Sequence, residues 1–335
     1  DDDSTLSLAH RGLELSDDAA LAGVFMRLRG DALRNLGRTD ESIEVFDAAS
    51  KSAEGADDLC LALVGLAEGL RVADRHEDAL AVLERADAVA GGMPALTRAR
   101  IHYLRGSVSF PMGDIDQCLA GHELSLTLAQ ESGSPAAEAS ALSGLGDAYY
   151  LQGLMQDARE RFDACVTISR AHGLGRIEVA NRHMVGWSRI YMMEFRGAFQ
   201  DGIECAEMAA RVGNRRAEQA GQLMAGFAQY LCYELDAAEE IIRRGFALSE
   251  TIGTAGFSIN HLTVLAQVLR DQNKLEDARR VANEAVERLA RVGMTFVGPY
   301  TLAVAASVEP DLEKHRAFIK QAEAVLDAGC VSHNY

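Results

Sequence analysis

The chain has 335 residues, of which 48% are hydrophobic and 25% charged, as in an ordinary folded protein. Its formal net charge of −17 excludes nucleic acid as a main partner, because phosphate binding needs clustered Lys and Arg. The same charge opposes binding to an anionic membrane, and the sequence contains neither a bilayer-long apolar run nor a signal peptide. We therefore expect a cytoplasmic protein.

The first segment, residues 1–15, has the pattern of an amphipathic helix. Its apolar positions are Leu6, Leu8, Leu13 and Leu15. We interpret this segment as the second helix of a preceding, truncated repeat.

Glycines recur from residue 133 onward at a constant step of 40 residues. Each follows a segment with helical periodicity, where glycine ends a helix by entering the left-handed conformation without a Cβ clash. These glycines are Gly133, Gly173, Gly213, Gly253 and Gly293.

Three columns of eight small residues run through the chain at nearly the same step. The first column is Ser42, Ala79, Cys118, Ala158, Ala198, Ala238, Ala278 and Ala317. The second is Ala49, Ala86, Ser125, Cys165, Cys205, Gly245, Ala285 and Ala324. The third is Gly30, Ala67, Gly106, Gly146, Gly186, Gly226, Ala266 and Ala305. Small residues in register let two antiparallel helices approach closely, so the columns predict stacked helical hairpins.

These columns resemble those of the tetratricopeptide repeat (TPR), whose hairpins carry small residues at three fixed positions. The segments Gly146–Tyr149 and Asp157–Phe162 are close to the repeat pattern. The resemblance covers residues 19–328 and implies an all-α, right-handed superhelical solenoid of about eight hairpins. The repeats exceed the 34-residue family unit by about six residues. In this they resemble the repeats of large bacterial signalling proteins, including ATP-dependent transcription activators and class III adenylate cyclases.

The sequence departs from the family pattern at several places. The turn within the hairpin contains glycine only in the first, third and fourth repeats, at Gly37, Gly113 and Gly153. In the other repeats this position is Asp74, Met193, Tyr233, Asn273 or Leu312. Arg196 and Gly202 weaken the fifth repeat, and Pro310 should end the first helix of the eighth near Glu309. Residues 329–335 are expected to begin a further, truncated repeat.

Patterns that would indicate catalysis or metal binding are absent from the sequence. The six cysteines form no CxxC pair, and the nine histidines have neither HExxH nor paired Cys/His spacing. Two segments look superficially like phosphate loops: Gly144-Leu145-Gly146 and Gly173-Leu174-Gly175. Gly146 is already explained as a helix-packing residue and Gly173 as a helix stop. We therefore predict no enzyme, no cofactor and no metal site.

The family resemblance implies that the first helices line an inner surface, and in the fourth to sixth repeats this surface is rich in aromatic residues. Aromatic rings offer large contact areas at low entropic cost. The candidate groove comprises Asp147, Tyr150, Arg182, His183, Trp187, Tyr191, Phe227 and Tyr230. Asn181 and Arg182 would orient a polar or anionic group. The alternative is that the rings fill gaps between repeats.

Three functions compete on the sequence alone. The leading hypothesis is the sensor or interaction segment of a larger bacterial signalling regulator, with a protein or peptide partner or a small-molecule effector. The second is a stand-alone peptide-binding adaptor, and the third, a remote one, is a helical-repeat enzyme. An adjacent ATPase, cyclase or DNA-binding module would identify the first.

Overall fold

The structure is a computed structural model that describes residues 2–15, 18–112, 114–252, 255–292 and 297–328. Within these ranges the chain forms seventeen α-helices and one 3-10 helix, Ala90–Gly92, and no strand. The all-α prediction is therefore confirmed. The helices are α1 Asp2–Leu15, α2 Ala19–Asn35, α3 Thr39–Ser52, α4 Ala56–Val72, α5 His76–Val89, α6 Ala95–Ser109, α7 Ile115–Ser132, α8 Pro135–Leu151, α9 Met155–Ala171, α10 Gly175–Tyr191, α11 Phe195–Arg211, α12 Arg215–Leu231, α13 Leu235–Ile252, α14 Ala255–Asp271, α15 Leu275–Val292, α16 Gly298–Val308 and α17 Leu312–Asp327.

The helices belong to two compact units, Asp1–Ala148 and Tyr149–Tyr335. In the first unit, α1 packs on α2, and α2/α3, α4/α5 and α6/α7 pair as hairpins. In the second, α9 packs on α10, and α10/α11, α12/α13, α14/α15 and α16/α17 pair in the same way. In each unit the first helices of successive hairpins also touch, as α2 with α4 and α12 with α14 do. Each unit is thus a stack of hairpins.

The predicted helix stops and turns take the left-handed conformation. Gly133, Gly173 and Gly213 end their helices with φ between 67° and 71°. Gly37 and Gly153 have φ of 78° and 76° in the turns within hairpins. In four other hairpins the corresponding turn holds a non-glycine residue at positive φ: Asp74, Met193, Tyr233 and Asn273. Gly113, Gly253, Gly293 and the predicted repeat start at 329–335 lie outside the described residues.

The small-residue columns lie at buried helix crossings, with one exception. From Ser42 to Ala278 the first column is inaccessible to solvent, and the third column is buried throughout. In α17, however, Ala317 and Ala324 are exposed, and Ala322 is the buried alanine. The fourth residue of α17 is His315, whose Nδ1 meets the Ala306 carbonyl oxygen at 2.9 Å, as Ser42, the fourth residue of α3, meets that of Gly30. The register of α17 therefore lies two residues before the predicted one.

Gly202, which departs from the family pattern, allows the closest approach of α11 to α12. A Cβ at Gly202 would lie 2.9 Å from the Gly221 carbonyl oxygen, and one at Gly221 would lie 2.8 Å from the Gly202 carbonyl oxygen. The fifth repeat therefore packs on the sixth through backbone contact instead of the expected large side chain.

Pro310 acts as the sequence predicts. Helix α16 ends at Val308, and Glu309 is extended, with φ −90° and ψ 116°, because the proline ring disfavours a helical residue before it. Among the helices that the structure describes, none combines the length and hydropathy needed to cross a bilayer.

Candidate functional site

A groove of about 640 Å³ opens in the second unit, and its walls come from the first helices α8, α10, α12, α14 and α16. Most of the groove lining therefore belongs to first helices. The lining residues are Tyr150, His183, Met184, Trp187, Ile190, Tyr191, Met193, Phe195, Leu223, Phe227, Leu231, Phe257, Asn260, Val264, Val297 and Tyr300.

Aromatic rings in contact form much of the groove wall. The Trp187 and Phe227 rings lie 5.6 Å apart at 38°, and Tyr150 meets Tyr191 edge to face at 5.8 Å. Trp187 and Phe227 are half-buried because their other faces pack on the core. Tyr191 keeps 42% of its surface exposed. The rings therefore pack on the core with one face and line the groove with the other.

The groove is electrically neutral in a strongly acidic protein. None of its described lining residues is Asp, Glu, Lys or Arg. Burial lowers the pKa of His183 to about 4, so its imidazole is neutral at pH 7. The Nδ1 atom of His183 is buried without a hydrogen bond of normal geometry. Such a surface favours uncharged, apolar groups and offers them a few hydrogen-bonding atoms.

One end of the groove is polar, where hydroxyl groups are held by fixed partners. Tyr300 donates a hydrogen bond to Gln267 Oε1 at 2.5 Å. Tyr230, which stacks behind Phe227 at 6.1 Å, donates to Asp271 Oδ2 at 2.9 Å. Burial, and then the carboxylate of Asp271, raise the pKa of Tyr230 to about 12. These phenols therefore stay protonated and cannot act as bases at neutral pH.

Five of the eight predicted site residues line the groove together: Tyr150, His183, Trp187, Tyr191 and Phe227. Tyr230 lies immediately behind them. Arg182 instead pairs with Glu204 at 2.6 Å and Glu178 at 3.5 Å and is largely buried. Asn181 donates to the Ile177 carbonyl oxygen at 2.9 Å. Neither side chain is available to orient an anionic group in the way that the sequence suggested.

Asp147, the eighth predicted residue, belongs to the first unit. Burial raises the pKa of Tyr103 and of Cys118, and the nearby carboxylate of Asp147 raises both further. Burial raises the pKa of Asp147 itself to about 7. Asp147 is thus a partly desolvated acid beside Tyr103 and Cys118.

The sequence interpretation missed the wall formed by α14 and α16. Phe257, Asn260 and Val264 line the groove from one stripe of α14, at spacings of three and four residues, and Tyr300 lines it from α16. The helical spacing of Phe257, Asn260 and Val264 is a signal that could have found them. The prediction was based on the aromatic residues of the fourth to sixth repeats, and α14 and α16 belong to the repeats that follow.

Hairpins stacked through small residues, with a groove on their first helices, define a helical-repeat protein. The chain contains tetratricopeptide repeats: models described as "Tetratricopeptide repeat" match residues 28–55 and 97–171. A comparison with curated protein sequences found no significant match.

Several solved structures share the fold at low sequence identity. A Rap protein in complex with Competence and Sporulation Factor is 12% identical, with a TM-score of 0.69 over 91% of this chain and 87% of that one. The quorum sensor NprR from B. thuringiensis is 13% identical, with a TM-score of 0.66 over 89% and 85%. PH0952 from Pyrococcus horikoshii, a signal transduction ATPase (STAND protein) with a TPR sensor, is 14% identical, with a TM-score of 0.69 over 94% of this chain. The chain spans only 50% of PH0952.

Proposed function

We propose that the second unit binds an apolar peptide segment of a protein partner in the aromatic groove, without catalysis. The observation that carries the proposal is the groove itself, whose aromatic, uncharged lining is suited to apolar side chains. Apolar and aromatic anchors in a concave site typically supply most of the binding energy.

The chain acts, in this proposal, as the sensing or interaction part of a cytoplasmic bacterial signalling regulator. Support comes from three structures of the same fold: one is named a quorum sensor, one contains a TPR sensor, and one is a complex with Competence and Sporulation Factor. The sequence that flanks the chain in its gene tests this part. A neighbouring ATPase, cyclase or DNA-binding module supports a regulator, and the lack of any output module favours the adaptor.

The groove is tested with peptides selected on the chain from a random library displayed on phage. Affinity is measured by fluorescence anisotropy on wild type and on Tyr191→Ala, which removes a ring that is already 42% exposed and so costs little packing. We expect Tyr191→Ala to weaken binding roughly tenfold, as for an aromatic contact residue. Binding should also shift the emission of Trp187, the only tryptophan in the sequence.

Phe246→Ala is the matched control, because this half-buried ring lies under Arg288 and not in the groove. Its affinity for the selected peptides should equal that of wild type. The proposal fails if selected peptides bind wild type and Tyr191→Ala alike and leave Trp187 emission unchanged.

A further inference from the structure

Two turns of the second unit hold large apolar side chains in a strained backbone conformation. Met193 and Tyr233 have φ of 63° and 64°, a region that L-residues other than glycine enter only at a cost. Gly153 forms the corresponding turn with φ 76° and nothing within 4 Å of a Cβ. All three turns close with the same type of hydrogen bond, from Leu154 N, Glu194 N and Glu234 N to the carbonyl five residues earlier, at 2.9–3.0 Å. The turn itself therefore requires neither Met193 nor Tyr233.

Packing does not require these side chains either. Met193 is 79% exposed and Tyr233 is 70% exposed. Met193 also lines the groove. A strained residue that contributes little to turn or core points to contact with another molecule.

Met193 and Tyr233 belong to a row of exposed apolar side chains on the edge formed by the hairpin turns. The row also includes Leu154, Tyr191, Leu275 and Leu312. Neighbouring turns contact each other along this edge. Arg159 pairs with Glu194 at 3.0 Å, Gln272 donates to Asp236 at 3.0 Å, and Lys274 pairs with Glu239 at 2.9 Å. These contacts join the first of the five turns to the second and the third to the fourth, and we call the whole row the hairpin-turn edge.

The charge and length of the hairpin-turn edge indicate what it binds. Its turns, residues 152–157, 192–197, 232–237, 272–277 and 309–314, carry nine acidic and three basic residues. Adjacent first helices pack roughly 10 Å apart, so five turns span about 40 Å, the length of a helix of about 25 residues. A small molecule cannot cover this span, whereas an amphipathic helix can.

We propose that the hairpin-turn edge docks a protein helix whose apolar face is flanked by Lys and Arg. The apolar row contacts the apolar face, and turn carboxylates other than Glu194, Glu276 and Asp277, which already pair with arginines, attract the basic side chains. The proposal rests on the proposed function in so far as it names a protein as the partner. Its binding surface extends beyond the aromatic groove, with which it shares only Tyr191 and Met193.

The test uses a fluorescein-labelled synthetic amphipathic helix of Leu and Lys and a twin in which Glu replaces Lys. The double variant Met193→Gly/Tyr233→Gly relieves backbone strain and leaves the net charge unchanged. We expect it to be at least as stable as wild type and to bind the Leu/Lys helix roughly tenfold more weakly. Asn273→Gly, with φ 63° at the equivalent turn, is the matched control and should bind like wild type.

Three results would each overturn the proposal: equal affinity of the double variant and wild type, equal binding of the Leu/Glu twin, or a homodimer that the double variant dissociates. The peptides selected on the chain distinguish a failure of this proposal from a failure of the proposed function. If they still bind the double variant while the Leu/Lys helix does not bind wild type, the edge proposal alone is wrong. If Tyr191→Ala and wild type bind the selected peptides alike while the Leu/Lys helix behaves as expected, the groove proposal alone is wrong.

Discussion

Helices α11 and α12 cross where Gly202 faces Gly221, and replacing Gly221 with alanine probes this contact directly. The new Cβ would lie 2.8 Å from both the Ala206 nitrogen and the Gly202 carbonyl oxygen. Both are backbone atoms of a packed helix and cannot rotate away as a side-chain end would. The helices must therefore separate by roughly 0.5 Å to restore van der Waals distances.

The expected cost follows from the contacts that this separation weakens. A gap of about 0.5–1 Å forfeits a quarter to a half of each pair energy of about 0.15 kcal/mol. Roughly 40 atom pairs across the crossing then lose about 1.5–3 kcal/mol. Alanine regains about 1 kcal/mol of helix propensity over glycine. The net prediction is a loss of about 0.5–2 kcal/mol in the free energy of unfolding.

Urea denaturation followed by circular dichroism measures this loss against a glycine with free space. Gly175, the first residue of α10, has nothing within 4 Å of the position that a Cβ would take, so Gly175→Ala should be neutral or slightly stabilising. Adding Gly202→Ala to Gly221→Ala should cost less than the sum of the single changes, because both separate the same helices. The reasoning is refuted if Gly221→Ala is as stable as Gly175→Ala.

Two further predictions concern pH. Burial lowers the pKa of His122 and His261 from 6.5 to about 4. The folded protein therefore has its full stability above pH 6.5, where both imidazoles are neutral, and loses stability as the pH falls toward 4. Denaturation between pH 7 and 5 should show about 1 kcal/mol lost per pH unit for each histidine, and His122→Gln should reduce this slope. The raised pKa of Asp147 gives the opposite pH dependence. Its contribution to the free energy of unfolding is complete below pH 3.8, where the carboxyl is protonated, and is lost as the pH rises through about 7. Asp147→Asn should therefore be about 1–3 kcal/mol more stable than wild type at pH 8, with the difference vanishing near pH 4; a constant difference would contradict this.

The hairpin fold was predictable because its determinants are local and recur in register. A small residue such as Ala158 or Gly226 is needed wherever two helix backbones approach, so the columns record the crossings directly in the sequence. The exception is α17, because α16 ends three residues after Ala305, two fewer than α14 after Ala266, and α17 begins correspondingly early. A small residue in the expected column therefore does not fix the register of a helix when the preceding helix ends early.

The groove was only partly predictable because its members depend on neighbours distant in sequence. Trp187 and Phe227 were found from their position in the repeat, which also places them beside one another in space. The role of Arg182 was not predictable from its position, since its pairing with Glu204 on α11 depends on the packing of α10 against α11. The position of Asp147 in the repeat also matched Trp187, yet Asp147 is a half-buried acid of the first unit, near Tyr103 and Cys118.

The two proposed surfaces of the second unit differ in the force that would hold a partner. The groove has no charged lining among its described residues, and the pKa of His183 keeps it neutral, so recognition there depends on apolar contact and shape. Along the hairpin-turn edge, carboxylates surround exposed apolar side chains, and screening by salt weakens attraction to a basic helix. Salt therefore acts on the edge and leaves the groove almost unchanged. The same unit can then recognise an apolar peptide through apolar contact and a basic helix through charge attraction, and the salt dependence of binding distinguishes the two.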